Sequence, residues 1–160
     1  RAYFGSAQLN ADAVTASPYL GEDSLKSFLE YPEKGILILC HTSNPGVRET
    51  QDVHLMDGRP YYLYIAELIQ KWNQNGNAGM VVGATYPDQL RQARSVMPNG
   101  FILVPGIGRQ GGDLQVAVHA ARDNEDQGFL INSSSGICYP DDGDRRGVAL
   151  ALHSQILSYL

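Results

Sequence analysis

Five short apolar runs recur along the chain: Ala13–Ala16, Ile36–Cys40, Met80–Val82, Phe101–Val104 and Phe129–Ile131. Several are apolar at consecutive positions, the pattern of strands buried on both faces of a parallel sheet. The segments between them have a helical period instead. Leu25, Phe28 and Leu29 share one face behind Asp23, which can cap that helix. Tyr62, Ala66, Ile69 and Trp72 form a second stripe, and Leu90, Ala93 and Met97 a third that Pro87 can open. Leu114, Ala117 and Ala121 follow Asp113, another capping candidate, and Val148, Leu152, Ile156 and Tyr159 mark the last helix. A capping carboxylate accepts from amides that the first helical turn leaves unpaired.

The order is therefore βαβαβαβαβα. Strands alternating with helices imply right-handed crossovers and a parallel sheet. Five units do not close a barrel. The alternatives are an open doubly wound sheet, and an α/β barrel of the (β/α)8 type with about three units absent. The 160 residues suit a single domain, 1–160. A complete barrel usually needs roughly 200–250 residues.

Charge and composition exclude some classes of function. The net charge is −5, the pI is about 5.2 and no basic stripe is present, so nucleic acid is not an expected partner. No apolar run approaches the roughly 18 residues of a membrane span, and no secretory signal is visible, so a cytoplasmic protein is expected. Cys40 and Cys138 lie far apart and in no CxxC pattern; two reduced, buried thiols are expected. His41, His54, His119 and His153 have no metal-ligand spacing, so no metal is expected, and His119 and His153 fall in helical segments as surface residues. Asp141-Asp142-Gly143-Asp144 has a fragment of a calcium-loop pattern without the rest, and reads as a solvated turn.

The loops after the apolar runs carry the chemistry. Pro105-Gly106-Ile107-Gly108-Arg109-Gln110-Gly111-Gly112-Asp113 has four glycines in nine residues directly before a helix. Glycine lets backbone N–H groups approach an anion closely, and a helix N-terminus favours negative charge. Asn132-Ser133-Ser134-Ser135-Gly136-Ile137 is a second loop of small residues. Two such loops after the last two strands make the usual phosphate site of a (β/α)8 barrel. His41-Thr42-Ser43-Asn44-Pro45-Gly46 offers short polar groups for a base or sugar, or equally an Asn-Pro-Gly turn bonded to itself; it opens the longest irregular stretch, which runs to about Arg59.

These loops resemble those of orotidine 5′-phosphate decarboxylases. The resemblance rests on Ala11–Gly21, Cys40–Gly46, Val81–Thr85, Val104–Gly108 with Gln110–Asp113, and Ile131–Ser134 with Gly136-Ile137, in the family's order over nearly the whole chain. It is closest to the longer bacterial-type subfamily, which also occurs fused to orotate phosphoribosyltransferase. The resemblance implies a cofactor-free, phosphate-binding (β/α)8 TIM barrel, usually a homodimer, of which about five C-terminal βα units are present. The implied reaction converts orotidine monophosphate to uridine monophosphate and carbon dioxide. By position, Ser43 would hydrogen-bond the pyrimidine beside Thr42. Pro105 and Gly106 would start a closing loop, and Gln110, Gly111 and Gly112 would hold the phosphate and ribose. Ser134, Ser135 and Gly136 would complete the phosphate loop.

Two departures qualify the implication. The family's catalytic Asp-x-Lys-x-x-Asp motif is absent: Lys26, Lys34 and Lys71 all lack that spacing, and the motif is expected just upstream of Arg1. The family's phosphate-pairing Arg is replaced by Ser135, for which Arg109 in the neighbouring loop is a candidate substitute. The alternative readings are a non-catalytic nucleotide- or phosphate-binding module of the same ancestry, and a sugar-phosphate enzyme of the same barrel group.

Overall fold

The computed structural model describes residues 3–5, 9–108 and 110–160. It contains the expected five strands: β1 (Ala13–Ala16), β2 (Gly35–His41), β3 (Ala78–Val82), β4 (Ile102–Pro105) and β5 (Phe129–Asn132). They run parallel and pair in sequence order, β1-β2-β3-β4-β5. The helices are α1 (Glu22–Leu29), α2 (Val47–Thr50), α3 (Tyr61–Trp72), α4 (Pro87–Val96), α5 (Leu114–Ala121), α6 (Ser134–Cys138) and α7 (Arg145–Ser158).

Crossovers that always step one place in the same direction stack every helix on the same face of the sheet. The core has that one-sided form. Ile36, Ile38, Cys40, Met80, Val82, Ile102 and Val104 cluster with Leu25, Leu29, Ile65, Ala66, Ile69, Leu90, Ala93, Ala117 and Ala121. The alternate residues Leu37 and Leu103 are only half-buried, and Leu39 and Leu130 are exposed. This is the arrangement of part of a (β/α)8 barrel; a doubly wound sheet would carry helices on both faces.

Several expectations need correction. Only β3 is buried at every position. The other strands alternate, because the helix layer covers one face and only the central strand is also enclosed on the other. Asp23 does not cap α1. The N-cap is Gly21, at φ 85°, and Asp23 sits in the first helical turn with no side-chain cap bond. Its charge can still complement the helix dipole there. Asp113 does cap α5, accepting from the Val116 amide at 2.9 Å. The acidic turn at 141–144 is exposed, and its last residue, Asp144, caps α7 by accepting from Gly147 at 2.8 Å. Cys40 is buried, but Cys138 is exposed, since α6 is too short to bury any of its residues.

The far end of the sheet is held by Arg94, a buried cation on α4. Its guanidinium donates to the carbonyls of Ala121 (2.7 Å), Met97 (3.0 Å), Gly100 (2.5 Å) and Gly128 (2.7 Å). It thereby joins the C-terminal ends of α4 and α5 to the residue that leads into β5. Among the described residues, no helix is long and apolar enough to cross a membrane.

Candidate active site

β2 ends in an irregularity. The register with β3 runs Leu39↔Val81 and then His41↔Val82, so one extra residue is accommodated at Cys40. Such a bulge re-aims the side chains that follow it. Cys40 and His41 are consequently both buried in succession. Burial pushes the Cys40 thiol up to about 12, and its Sγ donates to the Tyr62 carbonyl at 3.3 Å.

Thr42 and Ser43 leave the strand end together but turn to different neighbours. The Thr42 amide donates to Gln51 Oε1 at 2.7 Å, and its hydroxyl donates to Asn44 Oδ1 at 2.6 Å while accepting from Gln51 Nε2 at 3.0 Å. Thr42 is therefore engaged in holding its own loop. Ser43 points across the sheet, and its Oγ donates to Gln110 Oε1 at 2.8 Å, 67 residues away in sequence. The Ser43 carbonyl accepts from the Thr85 hydroxyl at 3.2 Å.

Two glycines allow this convergence. A Cβ on Gly83 would lie 2.7 Å from the backbone N and Cα of Ser43. Gly106 has φ 104°, a conformation that side chains disfavour, and a Cβ there would lie 3.0 Å from Ser43 Cβ and 3.1 Å from Gln110 Oε1. The glycine-rich loop closes on itself: Gly111 donates to Gly108 O at 2.8 Å and Gly112 to Gly106 O at 3.0 Å. These two amides shape the loop and are already partnered.

A cavity of about 310 Å³ lies at the C-terminal ends of β4 and β5, lined by Ser43, Pro105, Gly106, Ile107, Gln110, Asn132, Ser134 and Ser135. Six of the residues singled out from the sequence thus meet in one place. Thr42, Gly111 and Gly112 are not among its lining residues, and Gly136 lines a separate hollow with Tyr139 and Val148. Arg109 lies outside the described residues. None of the described lining residues is charged. In α6 the first amide bonded within the helix is that of Ile137, to Ser133 O. The amides of Ser134, Ser135 and Gly136 precede it and have no acceptor in the helix, as at any helix start.

Sequence reasoning missed several members. Ile107 and Asn132 sat inside the quoted loops without an assigned role. Gln51 and Asp52 lay in the stretch read as irregular, which contains the single turn of α2. His41 carries no role of its own in the sequence, only a place at the head of the polar loop and no metal-ligand spacing. It is fully buried, with Nε2 2.9 Å from Asp52 Oδ1, and its ring meets those of Tyr62 and Tyr86 edge-on at 4.8 and 4.9 Å. Burial lowers its pKa below the usual histidine range, outweighing the pull of Asp52. Among the described residues, no group of three or more His, Cys, Asp or Glu side chains could hold a metal ion.

The chain is 50% identical to an orotidine 5′-phosphate decarboxylase of Roseiflexus castenholzii over 136 residues, 84% of this chain and 50% of that protein. It is 46% identical to one from Halorubrum lacusprofundi, over 89% of this chain and 53% of that one. The chain thus spans about half the length of the curated relatives it matches. Among solved structures it is similar to Leishmania donovani UMP synthase (TM-score 0.92, 42% identity, 99% of this chain and 35% of that one). It is likewise similar to Leishmania donovani OMP decarboxylase (TM-score 0.89, 40% identity, 99% and 61%). Residues 1–146 match the family described as orotidine 5′-phosphate decarboxylase / HUMPS. A match over that much of its 160 residues shows that the chain belongs to the orotidine 5′-phosphate decarboxylase / HUMPS family.

Proposed function

We propose that this chain is the pyrimidine- and phosphate-binding part of a cytoplasmic enzyme that decarboxylates orotidine 5′-monophosphate to uridine 5′-monophosphate in de novo pyrimidine biosynthesis. The observation that carries the reading is the convergence of Ser43, Gly106, Gln110, Ser134 and Ser135 on one cavity. Ser43 donates to the pyrimidine, exchanging its present bond to Gln110 for one to the base. Ser134 and Ser135, with their amides and that of Gly136, receive the phosphate at the start of α6. Gln110 bridges the two ends, and Pro105 and Gly106 begin the segment that closes over the ligand. Gly111 and Gly112 keep that segment in shape.

The chemistry suits such a site. Loss of carbon dioxide leaves a carbanion-like centre that fixed dipoles and charges can stabilise without a cofactor. A phosphate held away from the reacting carbon supplies binding energy that is realised in the transition state. No lysine of the 160 residues has the spacing of the family's acid–base motif, so the proton donor is assigned to none of them. Because Ser135 occupies the place of the family's arginine, phosphate affinity falls on neutral donors of the described lining, with Arg109, next to Gln110 in sequence, the candidate cation. A homodimer belongs to the same proposal, as does a fused or associated orotate phosphoribosyltransferase, which the UMP synthase among the relatives supports.

The test is calorimetric titration of the intact protein with uridine monophosphate and with ribose 5-phosphate, beside a decarboxylation assay on orotidine monophosphate. Tighter binding of the nucleotide with turnover is expected. Nucleotide binding without turnover would favour a non-catalytic module, a reading that Ser135 in the place of the family's arginine supports. Preference for the sugar phosphate would refute the assignment of Ser43 to a base.

A further inference from the structure

The reaction above uses Ser43 but not the residues that fix where Ser43 stands. Two antiparallel rungs do so. His41 is joined to Asp52 (Nε2···Oδ1 2.9 Å), and Thr42 to Gln51 through the amide (2.7 Å) and the hydroxyl (3.0 Å). Successive residues on one strand end thus meet successive residues after α2, closing the intervening loop like a clasp. The next residue is Ser43.

The upper rung is built with some care. A carboxylate can only accept, so Nε2 of His41 carries the proton and donates it. That leaves Nδ1 as a bare acceptor, and it is buried without a hydrogen-bond partner. A buried polar atom left unpaired is destabilising, so the imidazole is not an economical way to fill this space. Tyr62 and Tyr86 both meet the ring edge-on. Tyr62 belongs to α3, so its hydroxyl contact with Gln92 of α4 at 3.0 Å extends the support to two helices. The His41 carbonyl accepts from Gly83 at 2.7 Å, which ties the same residue to the end of β3.

We infer that His41 and Asp52 are positioning residues for the pyrimidine contact: through the Thr42–Gln51 rung they hold Ser43 over the cavity, and thereby set preference for a nucleotide over a bare sugar phosphate. The inference rests on the proposed role of Ser43. It does not involve the phosphate loop, which lies on β5 and α6 and makes none of the clasp's hydrogen bonds.

The experiment is titration of the intact protein and its His41→Ala, Asp52→Ala and His41→Gln variants with uridine monophosphate and ribose 5-phosphate. Amide hydrogen exchange at Thr42 is followed in the same four proteins. Glutamine carries an amide nitrogen that can replace Nε2. The alanine variants are expected to weaken the nucleotide about tenfold, the worth of one well-placed hydrogen bond. Ribose 5-phosphate should stay within about twofold, and His41→Gln should recover most of the loss. The Thr42 amide should exchange slowly in the parent and His41→Gln, and fast in the alanine variants. If both ligands weaken together, or neither does, the inference is wrong. Should His41→Ala not fold, Asp52→Ala, at a partly exposed position, gives the same answer. If the parent binds neither ligand, the proposed function falls, and the clasp itself is judged by Thr42 exchange: equal exchange in all four proteins overturns it.

Discussion

Replacing Gly83 with alanine tests whether close backbone approach, rather than any side chain, sets the position of Ser43. The added methyl would sit 2.7 Å from both the N and Cα of Ser43 and 2.8 Å from its Cβ. Ordinary contact begins near 3.4 Å, so the Ser43 backbone must retreat by about 0.7 Å. It cannot do so freely, because the Ser43 carbonyl is held by Thr85 and Thr42 is held by Gln51. Overpacking of this kind costs about 1–3 kcal/mol of stability. A misplacement approaching 1 Å at a reacting or binding group costs on the order of tenfold to a hundredfold. The expected result is a Gly83→Ala protein that unfolds at lower urea, binds uridine monophosphate at least about tenfold more weakly, and holds ribose 5-phosphate nearly as well. Titration calorimetry and urea denaturation measure the two effects. Unchanged nucleotide affinity in a destabilised protein would refute the argument, since the strain would then have been absorbed away from Ser43.

Three further outcomes are expected. Arg94→Met strands at least two buried carbonyls at about 1–3 kcal/mol each, so the urea midpoint should fall sharply at unchanged slope; a loss below about 1 kcal/mol would show that water replaces the guanidinium. In the native protein a thiol reagent should modify Cys138 rapidly and leave Cys40, whose thiol is pushed up to about 12, until the chain unfolds; equal rates would contradict the packing. His41 has a folded-state pKa below its ordinary 6.5, so between those values the unfolded chain takes up a proton that the folded chain refuses. Its contribution to stability is therefore complete above 6.5 and declines as pH falls, by at most about 1.4 kcal/mol per pH unit; a His41→Gln protein with an equally steep acid limb would reject that assignment.

What the sequence made legible, and what it hid, follow from the range over which each signal acts. Strand recurrence and the four-residue spacing of Tyr62, Ala66 and the α3 stripe are local, and the helices formed where those spacings lay. Asp113 capped as expected, while Asp23 did not, because Gly21 at φ 85° starts α1 two residues earlier than a carboxylate cap at Asp23 would allow. Face-by-face burial depends on what covers the sheet, which a run of apolar residues such as Phe129–Ile131 does not specify. Within the site, Ser43 and Gln110 were found through a resemblance; nothing in either loop signals that they touch. The His41–Asp52 pair escaped for a similar reason. A buried histidine paired with one carboxylate 11 residues away has no spacing rule, and the bulge that buries it is visible only as a change of register.

The cavity draws each wall from a different βα unit: Ser43 from the second, Gly106 and Gln110 from the fourth, Ser134 and Ser135 from the fifth. A sheet assembled in sequence order can open piecemeal from its ends, and α7, with no fully buried residue, is the least anchored of its long helices. A ligand that touches three units exists only while all three are docked. By mass action it then acts as a removable cross-link, adding about 2.7 kcal/mol at a hundred times its dissociation constant. That stabilisation would fall hardest on partial opening rather than global unfolding. Ligand would therefore turn a modular sheet into a single cooperative unit, and the first amides to gain protection would be those of β5 and the helices beyond it, far from the base itself.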